Sequence, residues 1–131
     1  MRLTLEMDTS RLIPFVHEFG HPLPWTTDQI PQLVVMRLDT VDGATAAYVW
    51  LHFDPDDALA MAVHATSRPE FRGALWTPSL IADICALCRL MGAERLLCRY
   101  ATDRRAHAWH RFLNRLVPCR LSGTSVIHEL Y

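Results

Sequence analysis

The fold of this chain is decided by residues 59–80, which read LAMAVHATSRPEFRGALWTPSL. The short apolar run at its start is typical of a strand, and Thr77-Pro78 marks a helix start, where proline is tolerated. The Arg72-Gly73 pair lies in the turn between them. The first N–H groups of a helix lack intrahelical partners and lie at the positive end of its dipole. A strand, a tight turn and a helix start in this order therefore predict a phosphate-binding site.

Length and composition predict one globular domain over residues 1–131, in which 50% of the residues are hydrophobic and 21% are charged. The chain shows no bilayer-spanning run and no secretory signal at its start, so we expect a cytoplasmic protein with no membrane partner. The net charge of −1 argues against a nucleic-acid partner. All the basic side chains are arginines, which excludes lysine-based covalent catalysis.

The four cysteines favour core packing over metal or redox chemistry. Cys85 and Cys88 lie inside an apolar helical stretch, whereas Cys98 and Cys119 stand alone. A zinc site needs a second close pair, and a redox motif places its first cysteine at a helix start. His107 and His110 are one turn apart but have no third ligand in sequence, so we predict no metal site.

Hydrophobic periodicity predicts strands alternating with helices. The first half is expected to contain strand 1–7, helix 10–19 ending at Gly20, loop 21–32, and strands 33–38, 46–53 and 58–66. The second half is expected to contain helix 78–91, strand 95–100, helix 103–116, and strands 119–121 and 125–131. The inner face predicted for helix 103–116 consists of Ala106, Trp109, Phe112, Leu113 and Leu116.

A right-handed crossover through helix 78–91 would place strands 58–66 and 95–100 side by side and parallel. The three consecutive strands before it form an antiparallel meander, because their connections are short. The fold predicted is α/β (α+β), with a mixed central sheet of about six to seven strands and helices on both faces.

The order of elements and two short motifs resemble the GNAT superfamily of acetyl-CoA-dependent N-acyltransferases. Pro69-Glu70-Phe71-Arg72-Gly73 is similar to the start of its P-x-[YFW]-R-G-x-G-x-G/A pattern, and residues 111–116 (RFLNRL) are similar to its RFLxxLGF helix. Small divergent GNAT-like proteins of phage genomes also resemble this chain. Two glycines of the pattern are replaced here by Leu75 and Thr77, which removes positions that allow close backbone approach.

The resemblance implies acetyl-CoA as cosubstrate. Backbone N–H groups after Arg72 would contact the pyrophosphate, and a strand segment would pair with the pantetheine arm through its main chain. The residues that match these positions are Val63, His64, Ala65, Arg72, Gly73, Ala74, Leu75, Trp76 and Thr77.

The resemblance also implies direct transfer, in which a substrate amine attacks the thioester, a base removes its proton and an acid protonates the departing thiolate. Aligning Asp103-Arg104-Arg105-Ala106 with the family's NxRA places His110 at the position of its tyrosine acid. The other register, RFL, places Leu113 there and leaves no acid. His110 can protonate a thiolate, because the ordinary pKa of histidine is about 6.5. His64 is the other titratable side chain near the expected reaction centre and is the candidate base.

Each candidate also has a purely structural interpretation. Arg72 can pair with Glu70 or Asp57, and His64 can be a half-buried strand histidine. His110 can be a helix-surface residue, and Trp76 a packing residue. The arginines of helix 103–116 can meet the 3′-phosphate of CoA or form a solvated face; they are Arg104, Arg105, Arg111 and Arg115.

Three functional hypotheses follow. The first is an acetyl-CoA-dependent acyltransferase acting on a small-molecule or peptide amine, with specificity set by residues 10–32 and the terminal hairpin. The second is a GNAT-fold binding or structural protein without catalysis. The third is a small α/β protein that only mimics the motif. In that case no two neighbouring parallel strands would splay apart. The apolar strands of 33–53 also allow a homodimer.

Overall fold

The computed structural model describes residues 1–20, 33–72 and 75–130. The predicted loop 21–32 and the predicted cofactor residues Gly73 and Ala74 lie outside the described residues. The strands are β1 (Arg2–Leu5), β2 (Val34–Asp39), β3 (Thr45–Asp54), β4 (Leu59–Ser67), β5 (Arg95–Arg99), β6 (Arg120–Ser122) and β7 (Ser125–Glu129). The helices are α1 (Thr9–Phe19), α2 (Pro78–Leu90) and α3 (Asp103–Leu116), and a 3-10 turn covers Pro69–Phe71.

The seven strands form one mixed sheet in the order β1-β2-β3-β4-β5-β7-β6. The pairs β1–β2, β2–β3, β5–β7 and β6–β7 are antiparallel, whereas β4 and β5 are parallel. Six consecutive residues of β3, Ala46–Leu51, are buried, so both faces of this strand are covered. The mixed α/β sheet with three helices and the parallel crossover pair are therefore confirmed.

The parallel ladder between β4 and β5 is shorter than β4 itself. Leu59–Ala62 pair in register with Arg95–Cys98, and this register ends at the pair Ala62–Cys98. Strand β4 nevertheless continues to Ser67. From Val63 onward, β4 remains extended but does not pair with β5 in this register.

The chain divides into two compact units. The first unit is Met1–His52 with Val63–Leu75, and the second unit is Phe53–Ala62 with Trp76–Tyr131.

The first unit has an aromatic interior built on α1. Asp8 caps this helix, because its side chain accepts a hydrogen bond of 3.0 Å from the Ser10 N–H. The helix buries Leu12, Phe15 and Val16 against Val35, Tyr48 and Trp50. The rings of Phe15 and Tyr48 meet edge to face with their centroids 5.1 Å apart.

The second unit has an interior of aliphatic and thiol side chains. Helix α2 buries Leu80, Ile81, Ile84 and Cys88, and α3 buries Ala106 and Leu113. Ile81 and Leu113 pack with Val126 of β7.

The predicted inner face of α3 was wrong for two of its residues. Trp109 and Phe112 are 36% and 37% exposed, whereas Ala106 and Leu113 are buried and Leu116 is partly buried. The two aromatic residues lie on one flank of the buried stripe. Trp109 instead stacks on Tyr100, with ring centroids 5.9 Å apart, and meets Phe112 edge to face.

All four cysteines are free thiols, and Cys88 is fully buried. Burial raises the pKa of Cys85 to about 11 and that of Cys88 and Cys98 to about 12. These thiols are therefore protonated near neutral pH and behave as core residues, as predicted for the helical pair. Across the described ranges, no group of three or more metal-binding side chains could hold an ion.

Candidate functional site

The first piece of the candidate site is the end of β4. Val63 packs against the aromatic interior of the first unit, and His64 is half-buried. The imidazole centroid of His64 lies 5.2 Å from that of Trp50, with the rings tilted by 51°. Ala65 is exposed, and the next residue, Thr66, is buried. The strand thus holds His64 in the half-buried position that the structural interpretation expects, and its role as a base stays a prediction.

The turn after β4 is fixed by an arginine that the sequence reasoning did not single out. The Arg68 N–H of the main chain donates to the Ala46 carbonyl at 2.9 Å, and its side-chain Nε donates to the Thr45 carbonyl at 2.8 Å. Its guanidinium carbon lies 4.9 Å from the ring centroid of Phe19 and 6.0 Å from that of Phe15. Arg68 therefore attaches the turn to both β3 and α1.

Arg72 also contacts the C-terminal end of α1, through the main chain of Phe19. Its Nη2 donates to the Phe19 carbonyl at 3.3 Å, at the negative end of the α1 dipole. Neither alternative partner, Glu70 or Asp57, forms an ion pair with it among the described residues. The guanidinium predicted to face phosphate is placed at the C-terminus of α1 in this structure.

The second piece is the start of α2. The Thr77 side chain caps the helix, because its Oγ1 accepts from the Leu80 N–H at 3.1 Å. Pro78 has no N–H. Among the described residues, the Ser79 N–H has neither a cap nor a helical acceptor.

The two residues before this cap, Leu75 and Trp76, are in packed surroundings. Leu75 is 5% exposed, and Trp76 packs against the cluster of Ile81, Leu113 and Val126. The packing interpretation of Trp76 therefore agrees with its position. Cofactor contacts of Leu75, Trp76 and Thr77 stay predictions, and their main-chain N–H groups are the relevant donors.

His110 is half-buried on α3, and its Nε2 lies 3.2 Å from the Cys119 carbonyl oxygen. A carbonyl only accepts, so Nε2 carries the proton in this arrangement and Nδ1 is the nitrogen that can exchange one. The neighbouring His107 uses its Nδ1 in a 2.7 Å contact with the Asp103 carbonyl of its own helix. Arg104, Arg105, Arg111 and Arg115 are all exposed, which fits both interpretations of that face.

The candidate residues thus fall into two sets, each with its own surroundings. Val63, His64, Ala65 and Arg72 belong to the first unit, and Trp76, Thr77 and His110 belong to the second. In the part of the chain that the structure describes, no helix is long and apolar enough to span a bilayer.

No family model matches the sequence, and no curated protein is significantly similar to it. The fold, in contrast, is similar to solved acetyltransferases. A spermidine N-acetyltransferase chimera built from the Vibrio cholerae enzyme aligns with a TM-score of 0.74 at 11% identity, over 99% of this chain and 97% of that one.

Two further similar structures were solved with acetyl-CoA or CoA bound. The GNAT-superfamily phosphinothricin acetyltransferase of Sinorhizobium meliloti, in complex with acetyl-CoA, gives a TM-score of 0.68 at 14% identity, covering 99% of this chain and 89% of that one. A Bacillus subtilis acetyltransferase in complex with CoA gives 0.67 at 10% identity, covering 99% of both chains. The fold of this chain is therefore the fold of the GNAT acetyltransferases, which use acetyl-CoA.

Proposed function

We propose that this chain is a divergent, single-domain, cytoplasmic member of the GNAT superfamily that transfers an acetyl group from acetyl-CoA directly to a small-molecule or peptide amine. The observation that supports this most is the early end of the β4–β5 ladder. The register stops at Ala62 while β4 continues to Ser67, so β5 does not pair with Val63–Ala65 in this ladder, and we expect an extended amide-containing ligand to take its place there. The pantetheine arm of acetyl-CoA is such a ligand.

The phosphate end of the cosubstrate is assigned to residues 73–77 and the start of α2. The dipole of a 13-residue helix favours an anion at this end. Ser79 contributes an N–H, whereas Thr77 occupies that of Leu80. Gly73 supports the proposal through its place in the motif, since a glycine allows a phosphate to approach the backbone closely.

The chemistry proposed needs no group beyond acetyl-CoA. The amine nitrogen attacks the thioester carbonyl carbon, a C–N bond forms and the C–S bond breaks. His64 takes the proton that the amine loses, and His110, starting as the doubly protonated imidazolium, gives its Nδ1 proton to the departing thiolate and keeps its Nε2 proton. The ring of His110 is held for this by the contact of Nε2 with the Cys119 carbonyl.

Acetyl transfer is tested by following acetylated product with mass spectrometry over a panel of polyamines, amino acids and peptides. The variant H110A is expected to bind acetyl-CoA like the wild type and to lose turnover. H107A is the matched control, because His107 lies on the same helix and bonds to its own backbone. Equal turnover in wild type and H110A contradicts the role of His110, and a chain inactive on every amine contradicts the proposed enzyme.

The second candidate is a catalytically inactive GNAT-fold binding or structural protein, of the kind that phage genomes encode. The internal cap of α2 favours it, since Thr77 and Pro78 reduce the donors that remain for phosphate. A chain that binds CoA but transfers nothing supports this candidate. A ligand that binds only the folded state must raise its stability, by ~2.7 kcal/mol at a hundredfold excess over Kd.

A further inference from the structure

Strand β1 forms one edge of the sheet, and within the described residues no strand lies on its outer side. Three apolar side chains at or beside it are exposed: Met1 at 55%, Leu5 at 45% and Met7 at 89%. They alternate along the chain, so they share one face of the strand. The same face continues inward to Met36 and Leu38, which pair with Leu5 and Leu3 and are buried. In the part of the chain that the structure describes, the apolar face that includes Met36 and Leu38 therefore continues to exposed side chains at this edge.

The hydrogen-bond alternation shows which main-chain groups of β1 point outward. The Glu6 N–H donates to the Val35 carbonyl at 2.8 Å, so even-numbered residues of β1 are those that bond to β2. The N–H and C=O groups of Leu3 and Leu5 consequently point away from β2. An exposed edge with free donors and acceptors is a template for another strand.

The first seven residues are complementary to themselves about Thr4: Leu3 and Leu5 are alike, Met1 and Met7 are alike, and Arg2 and Glu6 are oppositely charged. If a second copy pairs antiparallel with its axis at Thr4, Leu3 faces Leu5 of the other chain and Met1 faces Met7. Arg2 then faces Glu6, and the two Thr4 residues face each other. The outward main-chain groups of Leu3 and Leu5 fall opposite one another, as a hydrogen-bonded pair requires.

We propose that β1 is a homodimer interface, in which two copies of this chain pair antiparallel about Thr4 and extend the sheet. A two-fold axis makes each contact occur twice, as an isologous interface demands.

Charge complementarity supports this occupant. Glu6, Arg37 and Asp39 form one ion-pair group with two carboxylates and a single guanidinium. In this pairing the exposed Arg2 of a second copy lies opposite Glu6 and adds a positive charge beside the two carboxylates. The Thr4 hydroxyl is buried and has no hydrogen-bond partner among the described residues. A facing threonine offers it one, since cross-strand threonine pairs hydrogen-bond in sheets.

The opposite edge of the sheet differs in its chemistry. The exposed ends of β6 are Arg120 and Ser122, and Arg120 is already paired with Glu129 at 2.9 Å. A charged, short strand of this kind is typical of an edge that stays unpaired. The apolar, self-complementary edge is β1.

Analytical ultracentrifugation from micromolar to millimolar protein tests the oligomeric state. The wild type is expected to approach twice its mass of 15.0 kDa as concentration rises. L5K is expected to stay monomeric, because it places a charge opposite Leu3 of the other copy. V41K is the matched control: Val41 is 98% exposed at the β2–β3 turn, so this variant is expected to dimerise like the wild type. A monomeric wild type at every concentration overturns the proposal, as does an L5K dimer.

Cross-linking tests the register. Thr4 residues that face each other across the axis have Cβ atoms ~5 Å apart, so T4C is expected to form an intermolecular disulfide under mild oxidation. R2C is the control, because equivalent Arg2 positions would be four residues apart along the strands, ~13 Å. Cross-linking of R2C in preference to T4C, or of neither in a dimeric protein, contradicts the pairing.

Discussion

The two compact units of the chain differ in the side chains that fill their interiors. The first unit surrounds aromatic rings, and two arginines of the turn after β4 join that turn to α1. The interior of the second unit is aliphatic and also contains the buried Cys88 and His128. Residues 68–72 of the candidate site are therefore also structural residues of the first unit, whereas His110 in the second unit makes one polar contact among the described residues. Variants in the turn need a stability measurement beside every binding measurement.

The largest effect is expected where α1 ends against β4. A Cβ added to Gly20 would lie 2.9 Å from both the Oγ1 and the Cγ2 of Thr66, which is closer than real contacts allow. We expect G20A to lower the free energy of unfolding by ~2 kcal/mol in urea denaturation, as overpacking typically does. T66A removes both colliding atoms, so the double variant is expected to recover most of the loss. Additive effects in this double-mutant cycle would show that the approach of α1 to β4 is not tight.

The second unit is expected to respond to pH. His128 is 2% exposed, and burial lowers its pKa, partly opposed by a hydrogen bond to the Pro118 backbone. The unfolded chain then binds the proton more readily, so stability is complete above ~6.5 and falls as the pH decreases below it, by at most about 1.4 kcal/mol per pH unit.

Denaturation at pH 7 and pH 5 measures this loss. H128Q is expected to lose less stability over that interval than the wild type does, whereas H52Q, at an exposed position, is expected to match the wild type. Asp8 and Asp42, whose pKa values are lowered by hydrogen bonds to Ser10 and Thr40, lose their contribution only in more acidic solution. Identical pH dependence in wild type and H128Q would contradict the neutral buried histidine.

The two arginines of the turn are expected to differ. R68M loses a hydrogen bond to the Thr45 carbonyl and the contact with the Phe19 ring, so we expect a loss of ~1.5 kcal/mol in thermal or urea denaturation. R72M loses a longer bond at an exposed position, and we expect a loss below ~0.5 kcal/mol. A larger loss for R72M than for R68M would reverse the structural roles assigned to the two side chains.

At the start of α2, the effect of removing the helix cap is expected to lie between those of R68M and R72M. T77V removes the oxygen that accepts from the Leu80 N–H, and loss of an N-cap costs about 1 kcal/mol. T77S keeps that oxygen and is expected to retain wild-type stability. Equal stability of T77V and T77S would show that the cap contributes nothing in solution.

Local patterns predicted the elements well because their causes are local. Helix α3 begins and ends as predicted, at Asp103 and Leu116, since a threonine cap and the apolar spacing define it. The β4–β5 pairing followed from the crossover rule. Periodicity did not separate the centre of the buried stripe of α3 from its flank, so Trp109 and Phe112 were misplaced.

The site was less predictable because its contacts join distant parts of the chain. Arg72 bonds to a residue 53 positions away, and Arg68 to one 23 positions away. No sequence motif encodes such pairs. The weak signal available for Arg68 was the pair Phe15 and Phe19, one helical turn apart on α1, which offers two ring faces to a cation.

Calorimetric titration of acetyl-CoA into the wild type and G73W tests whether residues 73–77 bind the phosphates of the cosubstrate. We expect the wild type to bind one molecule per chain, and G73W to show no binding heat while its melting temperature without ligand stays unchanged. This result would show that a large side chain at residue 73 prevents phosphate binding without changing the stability of the fold. The absence of binding heat in the wild type, or equal affinity in the two proteins, would contradict the proposal that residues 73–77 bind the cosubstrate.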